Sequence, residues 1–480
     1  MITKTYIFIL LVFFSLLGCK KDSLIPPEKE KGLTPKENSP PQAFIIRVLN
    51  KSYNYAVIEW ESAIDPDMDT LYYTVYLNDL IIAKNLTIDT ILRIDNLKPE
   101  KLYNGKIEVT DRKAEVVTVN FSFQTEKYFL KFNKLFSIEN GSSAGYSIEK
   151  TSDGGYIIGS EAVINDFGHS LCILKLDSLG FEQWHSTCTD HVSDYVRIKQ
   201  TRDNGYILVD NAKIIKLDQN GKELWRYPAD PVKYEYCSVI QTEGNNYMTV
   251  RSFSATRTSV SKFNENGVLI WEKIYGTLNR SKATYIEKSM DGNYVVLGTE
   301  GISESRENFF VLKINDEGDI LWRKTYIDKA YAFARQIKPT GDNGFIFCGT
   351  SVGNRQIEES RVIKIDYEGN LLWDKSFLWD SFKTYAYSIA QTKDGGYIFS
   401  GGNGYSPMSA LLVKLDQGGE VVWKKTYKPT DYMDYIWIGC DVKPTDDNGI
   451  IMTGGKGSVW GNGPKENGLW VIKTDAAGNY

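Results

Sequence analysis

The sequence predicts an all-β chain, a small β-sandwich followed by a seven-bladed β-propeller. The first observation behind this is a repeated phrase, Thr-x-Asp-Gly-Gly-Tyr-Ile, a variable gap, then Leu-Lys-Leu-Asp-x-x-Gly-x-x-x-Trp. Its anchors Thr151, Thr201, Thr242, Ser289, Thr340, Thr392 and Thr445 lie 50, 41, 47, 51, 52 and 53 residues apart, and strand-bearing repeats of this length build propellers. The second is a strand that the last repeat lacks and that stands ahead of the first. The third is a change of pattern upstream of the array, between Phe44 and Glu126, to short alternating strands separated by turns.

Within a repeat, a β-branched residue stands three positions before each anchor: Ile148, Ile198, Val239, Ile286, Ile337, Ile389 and Val442. A tetrad such as Asp394-Gly395-Gly396-Tyr397 follows, and its Gly and Asn residues suit a tight turn with positive φ. Leu411–Leu415 reads as a buried strand, Asp416-Gln417-Gly418-Gly419 as a turn, and Glu420–Trp423 as the returning strand. Four antiparallel strands per repeat give one blade. The seventh repeat ends at Tyr480 before any Trp, while Phe132-Asn133-Lys134-Leu135-Phe136 copies the pattern of Trp271-Glu272-Lys273-Ile274-Tyr275. A strand at about residues 128–137 is therefore expected to complete the last blade and close the ring. Trp184, Trp225, Trp271, Trp322, Trp373 and Trp423 recur at one repeat position and read as packing between blades.

The Asp-x-x-Gly-x-x-x-Trp phrase resembles the tryptophan-docking repeat of quinoprotein-like (PQQ-like) propellers, with one residue fewer between Asp and Gly. The array over residues 127–480 is similar to repeat regions of Bacteroidota surface proteins. It does not fit the Asp-box of sialidases, whose spacings are shorter. Residues 44–126 resemble a fibronectin type III domain: Trp60 on an early strand, Leu71–Tyr76 as the next, and Leu97-Lys98-Pro99-Glu100-Lys101-Leu102-Tyr103 as a tyrosine-corner phrase. That resemblance implies a spacer.

Residues 1–18 read as a lipoprotein signal peptide, with Lys4 before an apolar Tyr6–Leu17 core too short for an ordinary spanning helix. Leu16-Leu17-Gly18-Cys19 resembles a bacterial lipobox, which implies lipidation at Cys19. Residues 19–43, rich in Pro, Lys and Glu, read as a tether of about 70 Å when extended. The expected address is the outer membrane, lipid-anchored and exposed at the cell surface, with the periplasmic side as the alternative.

A net charge of −5 over 480 residues offers no basic stripe for nucleic acid, and the membrane is met through the lipid alone. Besides Cys19, the cysteines Cys172, Cys188, Cys237, Cys348 and Cys440 are scattered singly and do not form a disulfide framework. Two groups of residues have metal-like spacing. Asp65, Asp67 and Asp69 alternate in a loop and can converge on calcium, against the plainer reading of an acidic turn. His185, Cys188 and His191, near His169, have transition-metal spacing, but a strand there would separate their directions.

No catalytic residue is assigned: Asp177, Asp218, Asp366, Asp416 and Asp475 recur once per blade and read as turn caps. No cofactor is expected beyond calcium. The quinoprotein resemblance raises a quinone-linked oxidoreductase, yet the chain has neither eight blades nor vicinal cysteines. The repeated turns share one end of the propeller, so the variable gaps share the other. There the aromatic residues Trp379, Phe382, Tyr385, Tyr405, Tyr432, Tyr435, Trp437 and Trp460 are candidates for binding a glycan or protein partner, or for packing loops onto blades. The expected function is non-catalytic ligand binding. The alternatives are a polysaccharide hydrolase or lyase, a quinone-linked oxidoreductase, and a periplasmic envelope-assembly scaffold. Acidic or histidine residues clustered at the mouth of the central channel would favour an enzyme.

Overall fold

The computed structural model describes residues 38–111, 113, 115–126, 128, 130–138, 142–163, 169–191, 196–210, 213–228, 234–253, 257–276, 280–303, 306–327, 331–352, 357–379, 383–404, 409–427, 438–456 and 468–480. The residues expected to form the signal peptide and most of the expected tether, Cys19 included, lie outside these residues. The chain divides into two units, Met1–Lys127 and Tyr128–Tyr480. Among the described residues no helix is long and apolar enough to cross a membrane.

Among the described residues the first unit holds seven strands: β1 Ile46–Lys51, β2 Ala56–Trp60, β3 Tyr72–Leu77, β4 Leu80–Leu86, β5 Ile91–Ile94, β6 Leu102–Thr110 and β7 Val116–Gln124. They form two antiparallel sheets, ordered β1-β2-β5 and β4-β3-β6-β7. Strict alternation along β2 and β3 sends every second side chain inward. Trp60, Tyr73, Val75, Ile107, Val109 and Phe123 meet there as the core. Asn78 and Asp79 take positive φ, 45° and 64°, as a two-residue hairpin between β3 and β4 requires. The Tyr103 hydroxyl accepts a hydrogen bond from Lys98 N at 2.8 Å, so the phenol ties β6 to the chain entering it.

In the second unit the repeats become four-stranded antiparallel sets, spanning residues 142–191, 197–228, 234–275, 281–326, 332–377 and 384–427. A last set joins three strands over 438–474 to Phe132–Phe136, which pairs with Gly468–Thr474 in the register Leu469 to Phe136 and Lys473 to Phe132. The first strand of each set packs against the first strand of the next, and Ile438–Pro444 of the last returns to Ser142–Lys150 of the first. Sheets that follow one another in a closed cycle, innermost strand beside innermost strand, are the blades of a β-propeller.

Two turn chemistries explain the repeated phrase. In the first, Asp153 Oδ1 accepts hydrogen bonds from the Thr151 hydroxyl and, at 3.0 Å, from Gly155 N. Lys175 Nζ then reaches Asp153 Oδ2 at 2.8 Å and the Leu176 carbonyl at 3.0 Å. The Lys of the Leu-Lys-Leu run is thus a buried cation anchoring the turn, and Lys216, Lys364 and Lys414 do the same with Asp203, Asp342 and Asp394. A methyl group on Gly155 would sit 2.2 Å from the Leu176 carbonyl, so a glycine fits closest beside the lysine in this repeat. The third repeat has no Asp here: Glu243–Asn245 makes a short 3-10 turn, and Lys262 pairs instead with Asp316 of the following set.

In the second turn, Asp177 Oδ1 accepts from Leu179 N at 2.9 Å and from Phe181 N at 2.8 Å, a cap that recurs at Asp218, Asp366 and Asp475. Its glycine is where neighbouring sheets touch. A methyl on Gly221 would lie 2.6 Å from the Trp184 ring, and one on Gly267 would lie 2.7 Å from Trp225. Trp271, Trp322, Trp373 and Trp423 cover Gly318, Gly369, Gly419 and Gly478 in the same way. The tyrosine four residues after the tryptophan fastens the contact: Tyr326 OH donates to the Gly369 carbonyl at 2.8 Å and Tyr427 OH to Gly478 at 2.9 Å. Phe132 stands where the other sets have Trp, and it lies over Gly180.

The glycine contact is measurable. Gly221 and Gly292 both have positive φ, 81° and 85°, but a methyl on Gly292 would meet nothing within 4 Å. Gly292→Ala is expected to cost only the left-handed penalty, about 1–2 kcal/mol. Gly221→Ala adds overpacking of about 1–3 kcal/mol. Thermal melting of both variants should therefore separate them by several degrees, and equal shifts would exclude ring docking as the cause.

Candidate functional site

Where the innermost strands converge, one residue per set stands directly before the β-branched position: Ser147, Arg197, Ser238, Tyr285, Gln336, Ser388 and Asp441. In most of these strands the pairing register skips one residue just ahead of it, at Tyr146, Cys237, Thr284, Arg335, Tyr387 and Cys440. A bulge of this kind bends a strand and re-aims the next side chain. Here it lets that side chain accept from the neighbouring strand's backbone. Ile198 N donates to Ser147 Oγ at 3.1 Å, Ile389 N to Gln336 Oε1 at 2.8 Å, and Val442 N to Ser388 Oγ at 3.1 Å. Ile148 N donates to Asp441 Oδ2 at 3.0 Å, which carries the same belt from the last set to the first.

Asp441 is the hub. Its Oδ1 accepts from Ser388 Oγ and, at 3.3 Å, from Gln336 Nε2, while Oδ2 also takes Lys443 Nζ at 2.8 Å. Burial alone would raise this carboxyl, yet Lys443, Arg197 and the Ser388 hydrogen bond hold it well below the usual carboxylate range.

Two residues further along the same strands lies a charged tier of Glu149, Lys199, Glu287, Lys338 and Lys443. Lys199 Nζ reaches Glu287 Oε2 at 3.0 Å, and Lys338 Nζ bonds Glu287 and, at 3.1 Å, Tyr285 OH. Lys443 lies 3.7 Å from Glu149. Lys199 and Glu287 belong to non-adjacent sets, as do Gln336 and Asp441, so these side chains bridge the interior. Burial would raise the Glu287 carboxyl, but the Lys199 and Lys338 charges outweigh it and bring it down to about 2. Burial would lower Lys338, but Glu287 carries it well above its ordinary value. General acid–base work at neutral pH needs a group that titrates near neutrality, and Glu287 and Lys338 are displaced in opposite directions from it.

This tier was not singled out from the sequence. The signal was there: in five of the seven repeats the β-branched position is followed by a charged residue, at Glu149, Lys199, Glu287, Lys338 and Lys443. What hid it is that its partners lie one or more repeats away.

The residues that the sequence did single out fare differently. Trp379 stacks on Phe377 at 5.6 Å and packs against Phe399, with Lys424 over its ring, so it holds the connection onto the sheet. Tyr385 stacks on Tyr387 at 6.0 Å, and the Arg335 guanidinium lies 5.0 Å from the Tyr387 ring. Phe382, Tyr405, Tyr432, Tyr435, Trp437 and Trp460 lie outside the described residues. His185 Nδ1 is 2.6 Å from Glu182 on the continuous strand Glu182–His191, and the side chains of His169, Cys188 and His191 are outside the described set. Cys172, Cys237, Cys348 and Cys440 form no disulfide. Burial pushes the Cys348 and Cys440 thiols up to about 12, which leaves them unreactive at neutral pH.

The acidic loop needs a correction. Asp67 Oδ2 accepts from Ser39 N at 2.7 Å, and the carboxylate that converges with Asp65 and Asp69 is that of Asp111. Asp111 follows β6, which pairs with β3 in the register Tyr72 to Thr110. That pairing brings a residue more than forty positions away to the loop, a contact no local spacing announces.

Glu287 lends the fold a pH dependence of definite sign. A carboxyl at about 2 in the folded chain and 4.5 as the ordinary value stabilises above pH 4.5, and loses that contribution as pH falls toward 2. Glu287→Gln leaves Lys199 and Lys338 facing each other and is expected to cost about 3 kcal/mol at neutral pH. Melting temperatures across pH 2–7 should show a shallower acid slope in the variant, and parallel curves would exclude this pairing as a contributor.

No protein-family model and no curated protein matches the chain. Among solved structures, a protein of unknown function from Bacteroides caccae aligns at 13% identity and TM-score 0.39, over 61% of this chain and 96% of its own. The WD40 domain of Neurospora crassa Pan2 aligns at 9% identity and TM-score 0.44, over 69% and 89%. Puromycin hydrolase aligns at 11% identity and TM-score 0.46, over 65% and 50%.

Proposed function

We propose that this chain is a lipid-anchored, surface-exposed outer-membrane lipoprotein in which a fibronectin type III spacer presents a quinoprotein-like, seven-bladed propeller. The propeller binds an extracellular glycan or protein through its variable end and has no chemistry of its own. The observation that carries this reading is where the polar groups of the repeats are spent. Their Asp, Thr and Lys side chains close the repeated turns at one end, as at Thr151, Asp153 and Lys175. The carboxylates of the inner tier are paired with lysines, as at Glu287 and Asp441. Sequence individuality is left to the connections at the opposite end, which are where binding residues sit on rigid scaffolds.

The longest of these connections, residues 428–437 and 457–467, leave from neighbouring strand sets and carry Tyr432, Tyr435, Trp437 and Trp460. Aromatic residues there suit stacking on sugar rings or anchoring a protein partner. The Arg335–Tyr387–Tyr385 stack lies near the start of the first strands of two neighbouring sets. An acid–base enzyme is disfavoured by the Glu287 and Lys338 displacements described above.

Protease treatment of intact cells, read as propeller peptides against a periplasmic control, is expected to release the propeller. Digestion only after lysis would overturn the surface location. A combined Tyr432→Ala, Tyr435→Ala, Trp437→Ala variant is expected to keep its melting temperature and lose at least tenfold in affinity for whichever member of a polysaccharide and matrix-protein array the parent chain retains. Unchanged retention would remove these residues from the site.

A further inference from the structure

We infer that Asp65, Asp69 and Asp111 form a calcium site in the first unit, independent of the propeller. The loop Asp65-Pro66-Asp67-Met68-Asp69 links β2 to β3, and Asp111 lies where β6 ends beside the start of β3. One carboxylate oxygen from each of the three lies within 4.8 Å of the others. Two oxygens bound to one calcium ion at about 2.4 Å stand at most about 4.8 Å apart. The cluster thus already has the dimensions of half a coordination shell.

Asp65 supplies the second, independent observation. Its Oδ1 is committed to the turn, accepting from Asp67 N at 2.8 Å and Asp69 N at 3.2 Å. Its Oδ2 is buried with no hydrogen-bond partner, on a residue only 9% exposed. A buried charged oxygen left without a donor costs at least about 1–3 kcal/mol, and a hard cation removes that cost. Lys113 does not serve it: Nζ bonds Asp69 Oδ2 at 2.6 Å, and its side chain is largely exposed. Asp111 accepts from Asn38 Nδ2 at 2.6 Å and from Lys113 N at 2.7 Å, which orient its carboxylate. An all-oxygen set selects calcium over zinc. An irregular loop suits calcium better than magnesium, which demands a near-ideal octahedron and sheds water reluctantly.

The test is calorimetric titration of CaCl2 into the full chain after EDTA treatment and dialysis. One saturable site is expected in the range of extracellular modules, Kd about 10⁻⁴–10⁻³ M. Asp65→Asn keeps an oxygen acceptor for the turn amides and is expected to weaken binding at least tenfold. Asp111→Asn lies outside the turn, should do the same, and carries the test if the first variant misfolds. Calcium should also raise the melting temperature of the first unit in the parent chain and not in either variant. Absence of saturable heat, magnesium binding as tight as calcium, or parental affinity in a folded Asp111→Asn chain would each overturn the assignment.

Discussion

An aromatic ring on the last strand of one sheet lies over a glycine in the turn of the next, at a distance no side chain could share. Trp184 over Gly221 and Trp225 over Gly267 repeat the contact from set to set. The glycine must adopt positive φ and must lack a Cβ, two demands that coincide in one residue type. Because the contact is always with the following sheet, it orders the sheets in one direction and needs a last ring to finish the circle. Phe132, brought from ahead of the array to pair beside Gly468–Thr474, is that ring, and it lies over Gly180. The closure therefore joins the two ends of the array by the interaction used everywhere else, minus the hydroxyl that Tyr326 and Tyr427 contribute in their own sets.

Inside the circle the constraint is electrostatic. Lysines buried in strands are tolerated because each meets a carboxylate and a backbone carbonyl, as Lys175 does with Asp153 and Leu176. In the central tier the same rule operates between strands that are not neighbours, as with Lys199 and Glu287. Buried pairs of this kind contribute modestly to net stability but strongly penalise the loss of one partner. They fix which sheets face which across the axis. They also hold the Glu287 and Asp441 carboxyls below their ordinary range.

The two units solve the burial of polar groups differently. The propeller pairs Asp441 with a lysine, a serine, a glutamine and a backbone amide, so both oxygens are occupied. The sandwich leaves Asp65 Oδ2 buried beside two further carboxylates.

The sequence by itself determined the strands, the turns and the inter-sheet tryptophans, because each depends on residues close together in the chain. Asp-Gly-Gly and Asp-x-x-Gly are local turn chemistry, and Phe132–Phe136 could be matched to its missing position by pattern alone. The phenol of Tyr103, which meets Lys98 five residues away, was legible for the same reason. Tertiary structure decided what depends on distance. Phe399 meets the Trp379 ring only because strand pairing brings it there. Asp111 displaced Asp67 from the acidic cluster because β6 pairs with β3. The tier around Glu287 and Asp441 existed only as scattered charges until the innermost strands met around one axis, since its bonds from Lys199 to Glu287 and from Gln336 to Asp441 join residues whole repeats apart.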